Sequence, residues 1–305
     1  MKKRQTDALK QPALIPNPKA MFGAVENRDV EQVSRLLSAG VDPNSFEDTP
    51  YRAKYTVLMH AAFHNFPEAV ALLLGAGAAP NDVTGVAPGG PGGETALLQA
   101  TRNVARNKDA LQNHIDTVSL LLDAGGNPYI AAKSETAYSN AARSGHVRVV
   151  ELFIQHGFLP NAAPDGPLRP FRSATAGRPP NPAMLKLLLK HGCSVDEDAS
   201  GSTPLMAAAH DGSLEIIPLL LESGAEVNRV DSDNRTPLIQ AARFAKGCVS
   251  SADEAIALEI VKLLVSAGAR LSDRDFLGKT ASDYAAEGRR KKVHQFLKCC
   301  EKGKN

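Results

Sequence analysis

The sequence predicts an all-α repeat protein, a solenoid of about eight helix-turn-helix units joined by hairpin-like turns. A glycine closes one leucine-rich segment after another, and a threonine opens the short apolar segment before most of them. Successive closing glycines lie about 33 residues apart, with longer intervals where residues are inserted. Hydrophobic residues make up 43% of the chain and aromatic residues only 5%, so we expect a core of Leu, Ala, Val and Ile.

The clearest copy of the unit is Gly201–Asn228. Pro204 begins its first helix, since a proline at the first helical position loses no hydrogen bond, and Thr203 can cap the free N–H groups. His210, Asp211 and Gly212 end that helix. The second helix is rich in Ile and Leu and ends at Gly224, a residue able to adopt positive φ.

The same two signatures recur along the chain. The closing glycines are Gly40, Gly77, Gly125, Gly157, Gly192, Gly224 and Gly268. The opening triplets begin at Thr56, Thr95, Thr136, Thr203, Thr236 and Thr280. These linked motifs resemble those of the ankyrin repeat family, and the resemblance covers the chain from about Lys19 to Lys298.

The repeat pattern divides the chain into three parts. Residues 1–18 are predicted to be a flexible N-terminal tail, 19–298 a single ankyrin-repeat domain, and 299–305 a C-terminal tail. The first and last units carry polar residues and are predicted to be caps, because each has no neighbour on one side. The capping segment at the C-terminal end includes the basic run Arg289–Lys292.

Three units depart from the pattern. The fifth, Pro167–Asp196, is degenerate, and its prolines are expected to bound a shortened first helix because an internal proline costs about 3 kcal/mol. The third and seventh carry insertions around Val104–Asn113 and Lys246–Ala255. Both insertions contain helix-forming residues, so we expect longer helices there. Drift at a permissive site and use in binding both remain open.

Charge and cysteine content argue against several classes of function. The net charge of +2 gives no strong field for nucleic acid or a membrane surface. Four cysteines show neither metal spacing nor a secreted framework, which predicts a cytoplasmic location. The basic run leaves a nuclear location as the alternative to a solvated capping helix. His60 and His64 lack a third ligand, so no metal and no cofactor is predicted, and no catalytic set indicates an enzyme.

The family resemblance implies that the first helices line a concave groove and that the turns project from one edge. We therefore expect a non-catalytic scaffold or adaptor that binds a protein partner. The residues predicted to face this groove and bind the partner are His60, Phe63, His64, Gln99, Arg102, Asn103, Asn140, Arg143, His210, Gln240, Arg243, Phe244 and Tyr284.

The groove residues also suggest what the partner is. Arg102, Arg143 and Arg243 share one position with His210, which favours an acidic segment of the partner, since arginine grips carboxylates at two points. Phe63, Phe244 and Tyr284 are candidate aromatic anchors. The chain is expected to be a monomer without nucleic-acid or membrane partners.

Alternatives from other classes remain open. The chain would serve equally as an adaptor that recruits substrates to a ligase, kinase or hydroxylase, or as a bacterial effector that mimics host ankyrin proteins. The resemblance also implies asparaginyl hydroxylation at Asn44 and Asn228, which have a leucine eight residues before them and an acid two residues before. An amide that bridges a turn is the structural alternative for both.

Overall fold

The computed structural model describes residues 17–47, 54–85, 93–103, 108–132, 135–162, 169–177, 179–197, 201–243 and 251–303, and most of these are helical. The strands among them are β1 (Phe46–Glu47) and β2 (Tyr55–Thr56), which pair antiparallel. The predicted all-α repeat fold is therefore confirmed. The chain divides into two compact regions, an N-terminal region (Met1–Ala137) and a C-terminal region (Tyr138–Asn305).

Helices of the N-terminal region alternate between two layers. They are α1 (Pro18–Glu26), α2 (Val30–Ser38), α3 (Val57–Phe63), α4 (Pro67–Gly75), α5 (Ala96–Arg102) and α6 (Lys108–Asp123). The first helices α1, α3 and α5 pack side by side, and so do the second helices α2, α4 and α6. Each first helix also packs on the second helix that follows it, so the core lies between the layers.

The C-terminal region repeats this arrangement. Its helices are α7 (Ala137–Arg143), α8 (Val147–Gln155), α9 (Pro170–Thr175), α10 (Pro182–Lys190), α11 (Pro204–Asp211), α12 (Ile217–Glu222), α13 (Pro237–Arg243), α14 (Ser251–Ser266), α15 (Ala281–Glu287) and α16 (Lys291–Lys302). Short 3-10 turns occupy Pro160–Ala162 and Leu214–Ile216. The first helices α9, α11, α13 and α15 are successive neighbours, while α12, α14 and α16 follow one another in the second layer.

Helix starts follow the threonine signature. The hydroxyl oxygen of Thr203 accepts a hydrogen bond from Met206 N at 3.3 Å, and Pro204 is the first residue of α11. Thr56 caps α3 and Thr280 caps α15 in the same way. A free N–H group in the first turn is thus satisfied, as the sequence predicts.

Prolines bound the helices of the fifth unit rather than interrupt them. Pro170 begins α9, which is only 6 residues long, and Pro182 begins α10. Asn181 caps α10 by accepting from Ala183 N at 3.0 Å. The predicted shortened first helix is therefore confirmed, because each proline stands where its missing N–H has no helical partner.

Both insertions between paired helices extend the second helix. α6 and α14 have 16 residues each, whereas α2, α4, α8 and α10 have 9. The expectation of longer helices is confirmed for 108–113 and 251–255. The remaining residues of the two insertions lie outside the described part of the chain.

The predicted C-terminal tail differs from the structure, whereas most of the predicted N-terminal tail lies outside the described residues. α1 begins at Pro18 after an Asn17 cap, and residues 1–16 lie outside the described part. At the other end, α16 continues to Lys302, so the prediction that a tail begins at Cys299 is wrong. Leu297 and Val293 bury the helix against the repeat, and its last turn simply continues from them.

Each closing glycine has the same backbone geometry. Gly224 has φ of +87°, and the following residue, Ala225, donates its N–H to Leu220 O at 3.0 Å, which closes the end of α12. The other six closing glycines have φ between 85° and 96°. The sequence prediction of positive φ at this position is confirmed.

Replacing Gly224 with alanine is expected to lower the free energy of unfolding by about 1 kcal/mol, because a side chain makes this left-handed conformation costly. No atom lies within 4 Å of the added Cβ, so backbone strain is the whole effect. Gly75→Ala is the matched control: its Cβ also meets nothing, and it ends α4 without positive φ. Urea unfolding followed by circular dichroism measures both, and equal losses would contradict the explanation.

Candidate functional site

In the N-terminal region, His60 packs into a cluster of aromatic rings. Its ring centroid lies 5.5 Å from that of Phe22, 6.1 Å from Tyr55 and 4.6 Å from His64. His60 is half-buried. His60 therefore packs against neighbouring rings, and its role in binding a partner stays a prediction.

Phe63, His64 and Asn103 join the ends of neighbouring first helices. Asn103 Nδ2 donates to Phe63 O at 2.6 Å, and Asn65 Nδ2 donates to Asn103 O at 2.8 Å. Arg28 Nη1 donates to His64 O at 3.1 Å. Asn103 is thus a structural link between repeats, while the side chains of Phe63 and His64 stay half-exposed.

The side chains of Gln99 and Arg102 form hydrogen bonds to carboxylates of the N-terminal region. Gln99 is fully buried and donates Nε2 to Glu94 Oε2 at 2.7 Å, so its predicted exposure in a groove is wrong. Arg102 Nη1 donates to Glu94 Oε1 at 2.5 Å, and its Nε donates to Glu135 Oε2 at 3.0 Å. Burial alone would lower the pKa of Arg102, but these two carboxylates outweigh it and raise the pKa. Arg102 therefore has no uncompensated charge for an acidic partner.

In the C-terminal region, α7 and α13 place the predicted residues at different depths. Asn140 is only 6% exposed, so the expectation that it points freely into a groove is wrong. Gln240 lines a groove cavity of this region, as predicted, although it is only 8% exposed. Arg143 at the end of α7 is exposed, as expected. Phe244 lies outside the described residues.

Gln240 and Tyr284 bind carboxylates that organise the preceding turn. Gln240 Nε2 donates to Asp231 Oδ2 at 2.8 Å, while Asp231 Oδ1 accepts from Asp233 N and Arg235 N. One repeat later, the hydroxyl of Tyr284 donates to Asp275 Oδ2. Both side chains therefore hold a projecting turn against its first helix, as Gln99 does through Glu94.

Asp275 is the centre of the last of these turns. Its Oδ1 accepts from Leu277 N and Lys279 N, both at 3.0 Å. Burial raises the pKa of Asp275, but the hydrogen bonds from Tyr284, Lys279 and Leu277 together lower it below its usual value. Its carboxylate is therefore the favoured form in the folded protein.

A groove cavity of about 450 Å³ lies on the first-helix side of the C-terminal region. Residues of α9, α11, α13 and the intervening turns line it, chiefly Arg172, His210, Asp211, Asp231, Arg235 and Arg243. Three arginines and one histidine thus face two carboxylates. The structure brings His210 and Arg243 together here, as the sequence predicts.

Two of these arginines pair with no carboxylate among the described residues. Arg172 Nη1 donates to Ser202 O at 3.2 Å. Arg243 Nη1 reaches Gln240 Oε1 at 3.4 Å, and its guanidinium carbon lies 5.2 Å from the ring centroid of Tyr284. Both side chains are half-exposed, so two cationic groups remain available at this surface.

The other charges of the groove are compensated within it. Arg235 pairs with Asp233, and its guanidinium also lies 5.9 Å from the ring centroid of Phe276. His210 Nδ1 lies 3.1 Å from Asp211 Oδ1. The cationic character of the groove therefore depends mainly on Arg172 and Arg243.

Sequence reasoning missed Arg172 and Arg235. Arg172 belongs to the proline-rich fifth unit, for which the sequence predicts no groove residue. Arg235 directly precedes the Thr236 signature, a position that belongs to the projecting turn. The sequence signal for both is a basic residue two positions from the proline that begins a helix. Arg172 follows the proline of its Arg-Pro pair by two positions, and Arg235 directly precedes its Thr-Pro pair.

The two asparagines predicted as hydroxylation sites bridge successive repeats. Asn44 Nδ2 donates to Gly77 O at 3.3 Å, and its Oδ1 accepts from Ala79 N at 2.8 Å. Asn228 makes the same pair of bonds, to Gly268 O at 3.1 Å and from Arg270 N at 2.9 Å. These contacts explain the asparagines structurally, and hydroxylation stays a prediction.

The described ranges contain neither a cluster of metal-binding side chains nor a membrane-spanning helix. No group of three or more His, Cys, Asp or Glu there is placed to hold a metal ion. Likewise, none of the helices described has the length and apolar character needed to span a bilayer. Burial raises the pKa of the Cys193 thiol to about 12, with a further contribution from Glu197, so this thiol is a poor nucleophile.

Replacing Tyr284 with phenylalanine is expected to destabilise the protein by about 2 kcal/mol at neutral pH, because the mutant loses a hydrogen bond to a charged group. A carboxylate with a lowered folded-state pKa stabilises the fold above its unfolded-state pKa, and this contribution is lost as pH falls through the folded-state pKa. The difference between Tyr284→Phe and the parent should therefore shrink in acid. Urea unfolding at about pH 7 and about pH 3 tests this, and a pH-independent difference would contradict the role of Asp275.

Comparisons with known proteins agree with the repeat architecture. The family model described as "Ankyrin repeats (3 copies)" matches residues 21–126 and 173–254, more than half of the chain. The Ankyrin repeat and KH domain-containing protein mask-1 of Caenorhabditis elegans is 26% identical over 270 residues, which cover 88% of this chain and 9% of that protein. The Ankyrin repeat and KH domain-containing protein CBG24701 of Caenorhabditis briggsae is 29% identical over 189 residues, which cover 61% of this chain and 6% of that protein.

A third relative is closer to this chain in length. The B-cell lymphoma 3 protein homolog of Mus musculus is 29% identical over 221 residues, which cover 72% of this chain and 46% of that protein. The chain thus spans less than half of each of these three relatives. Ankyrin repeats generally mediate protein–protein interaction and are typically non-catalytic. With its paired helices, closing glycines and matching family model, the chain belongs to the ankyrin-repeat family.

Proposed function

We propose that this protein is a non-catalytic interaction scaffold whose C-terminal region binds an acidic segment of a partner protein. The binding surface is the groove lined by Arg172, His210, Arg235 and Arg243. The observation that carries the proposal is that Arg172 and Arg243 contact no carboxylate within the described residues, although both are half-exposed in the same groove.

The arrangement of Arg243 favours binding over simple solvation. Its guanidinium lies against the Tyr284 ring, and Tyr284 is itself fixed by its hydrogen bond to Asp275. A guanidinium held in this way loses less side-chain freedom when a carboxylate binds. Arginine also offers two parallel donors to one carboxylate, which adds direction to the electrostatic attraction.

Charge reversal in the groove tests the proposal. Arg172→Glu/Arg243→Glu is expected to lower the affinity for an acidic protein partner at least about tenfold, and added salt should no longer weaken binding, because attraction becomes repulsion. Partners captured by the full chain from its native cells are identified by mass spectrometry, and their purified acidic segments are titrated against each variant. The matched control is Lys186→Glu/Lys190→Glu, which changes the same charge on the exposed surface of α10.

Equal weakening in both double variants would show that net charge matters and that the groove does not. Unchanged binding in the groove variant would overturn the proposed site. Circular dichroism of each variant separates a lost contact from a lost fold.

The finer parts of the role are proposals of the same kind. We propose that each successive helix pair is one ankyrin unit, about eight in all, and that the chain acts as a monomeric scaffold or adaptor in the cytoplasm. His60, Phe63 and His64 remain candidate contacts in the N-terminal region, since their side chains stay half-exposed. Recruitment of substrates to an enzyme and a role as an effector are the alternatives.

A further inference from the structure

We infer that the acidic segment bound in this groove is extended, with carboxylates at every third residue. The inference rests on the proposed function and specifies the conformation and the charge spacing of its ligand. It follows from the distance between successive first helices and from the side chain that each of them places in the groove.

The basic side chains of the groove lie on successive first helices and are therefore regularly spaced. Arg172 belongs to α9, His210 to α11 and Arg243 to α13, and these helices are successive neighbours. Packed helices lie about 8–10 Å apart between their axes. The groove therefore offers one basic side chain about every 8–10 Å, and Arg172 and Arg243 are separated by two of these helix-to-helix distances.

The spacing of these side chains matches three residues of an extended chain, judged by the rise per residue of possible ligands. A polyproline II segment advances about 3.1 Å per residue and a β-strand about 3.3 Å, so three residues cover about 9–10 Å. An α-helix rises only about 1.5 Å per residue and needs six or seven residues for the same distance. An extended chain thus matches one acidic side chain to each repeat, and polyproline II, with three residues per turn, keeps them on one side.

The carboxylates that line the groove already have partners within the protein. Asp231 accepts three hydrogen bonds, from Asp233 N, Arg235 N and Gln240 Nε2, so its charge is well compensated. Asp211 faces His210. Asp211 and Asp231 therefore repel a ligand only weakly in the middle of the groove, while Arg172 and Arg243 attract it at the two outer helices, α9 and α13.

The floor of the groove also suits a close, extended backbone. Ala207 of α11 lines it, as do Ser202 and Ser232, which belong to the turns. Small side chains at these positions leave room for a peptide main chain between the arginines.

Synthetic peptides of fixed composition test the charge spacing. A fluorescent peptide with three Asp residues, each separated by two Pro residues, is compared with one in which the three Asp residues are consecutive, and with an Asn version of the spaced peptide. Fluorescence anisotropy with the full chain is expected to show about tenfold tighter binding of the spaced peptide than of the consecutive one, and no binding of the Asn version. Arg172→Gln and Arg243→Gln should each weaken the spaced peptide about fivefold, and Lys190→Gln should not.

Several outcomes would overturn the inference. Equal binding of the spaced and consecutive peptides would show that only total charge matters. Tighter binding of an alanine-rich helical peptide with the same three Asp residues on one face would show a helical ligand. An oligonucleotide of equal charge that binds more tightly through Arg172 and Arg243 would replace the peptide altogether.

Failure of the inference is distinguishable from failure of the proposed function. If native acidic partners bind through Arg172 and Arg243 but lack the three-residue spacing of carboxylates, the proposed binding site is supported and the inference of an extended ligand is wrong. If neither peptides nor partners depend on these arginines, the proposed acidic site fails as well. Preference for the spaced peptide that Arg172→Gln and Arg243→Gln both remove supports the inference.

Discussion

Replacing Arg102 with methionine is expected to lower the free energy of unfolding by about 3–5 kcal/mol, the range typical of breaking a buried ion pair by removing one partner. The side chain of Glu94 is only 1% exposed and that of Glu135 is 13% exposed, so neither carboxylate reaches water freely. Methionine keeps most of the volume of the side chain but supplies no donor. Urea unfolding of the parent and Arg102→Met measures the loss.

A neutral partner should rescue much of this loss. In Arg102→Met/Glu94→Gln the more deeply buried of the two charges is gone, and the amide at position 94 can still bond to Gln99, so we expect more than half of the lost stability to return. Arg148→Met is the control, because Arg148 pairs with Glu151 on the exposed surface of α8 and should contribute less than about 1 kcal/mol. Similar losses in Arg102→Met and Arg148→Met would mean that burial of Glu94 is not the cause.

This ion-pair network explains why one predicted binding residue does not contribute to the site. Arg102 occupies the same repeat position as Arg143, His210 and Arg243, and the sequence places all of them on one line. Arg102 meets two carboxylates from turns of its own region, whereas Arg243 pairs with no carboxylate among the described residues. The repeat position therefore fixes the location of a side chain on its helix, but the turns decide whether its charge is free.

Much of the fold could be predicted because its signals are local. The cap formed by Thr203, the proline at the start of α11 and positive φ at Gly224 each depend on a few adjacent residues. The same holds for the helix-forming insertion that extends α14. Local signals repeated at a regular spacing are enough to define each helix pair and its order.

The groove was harder to predict because it depends on contacts between residues far apart in the repeat. Gln240 is buried because Asp231, nine residues earlier, turns back to meet it. Arg172 joins the groove through the start of the next repeat, at Ser202. Neither contact leaves a pattern in neighbouring residues, so the sequence shows neither that Gln240 is bonded to a turn nor that Arg172 lines the groove.

The basic run Arg289–Lys292 shows the same limit at the C-terminal cap. The sequence predicts a solvated run, but Arg290 is only 8% exposed and donates Nη1 to Ala241 O at 3.3 Å. Burial lowers the pKa of Arg290, whereas Asp253 and Glu254 oppose that effect. The run thus presents three exposed cations rather than four, and the prediction that all of it is solvated is wrong.

Arg290→Glu is therefore expected to destabilise the C-terminal cap by more than about 3 kcal/mol, because it buries a carboxylate close to Asp253 and Glu254. Lys291→Glu makes the same change of charge one residue later, at the exposed start of α16. An acid there interacts favourably with the helix N-terminus, so this control should retain or gain up to about 1 kcal/mol. Opposite signs in urea unfolding would establish that position decides the effect, whereas equal losses would show that the net charge of the cap controls its stability.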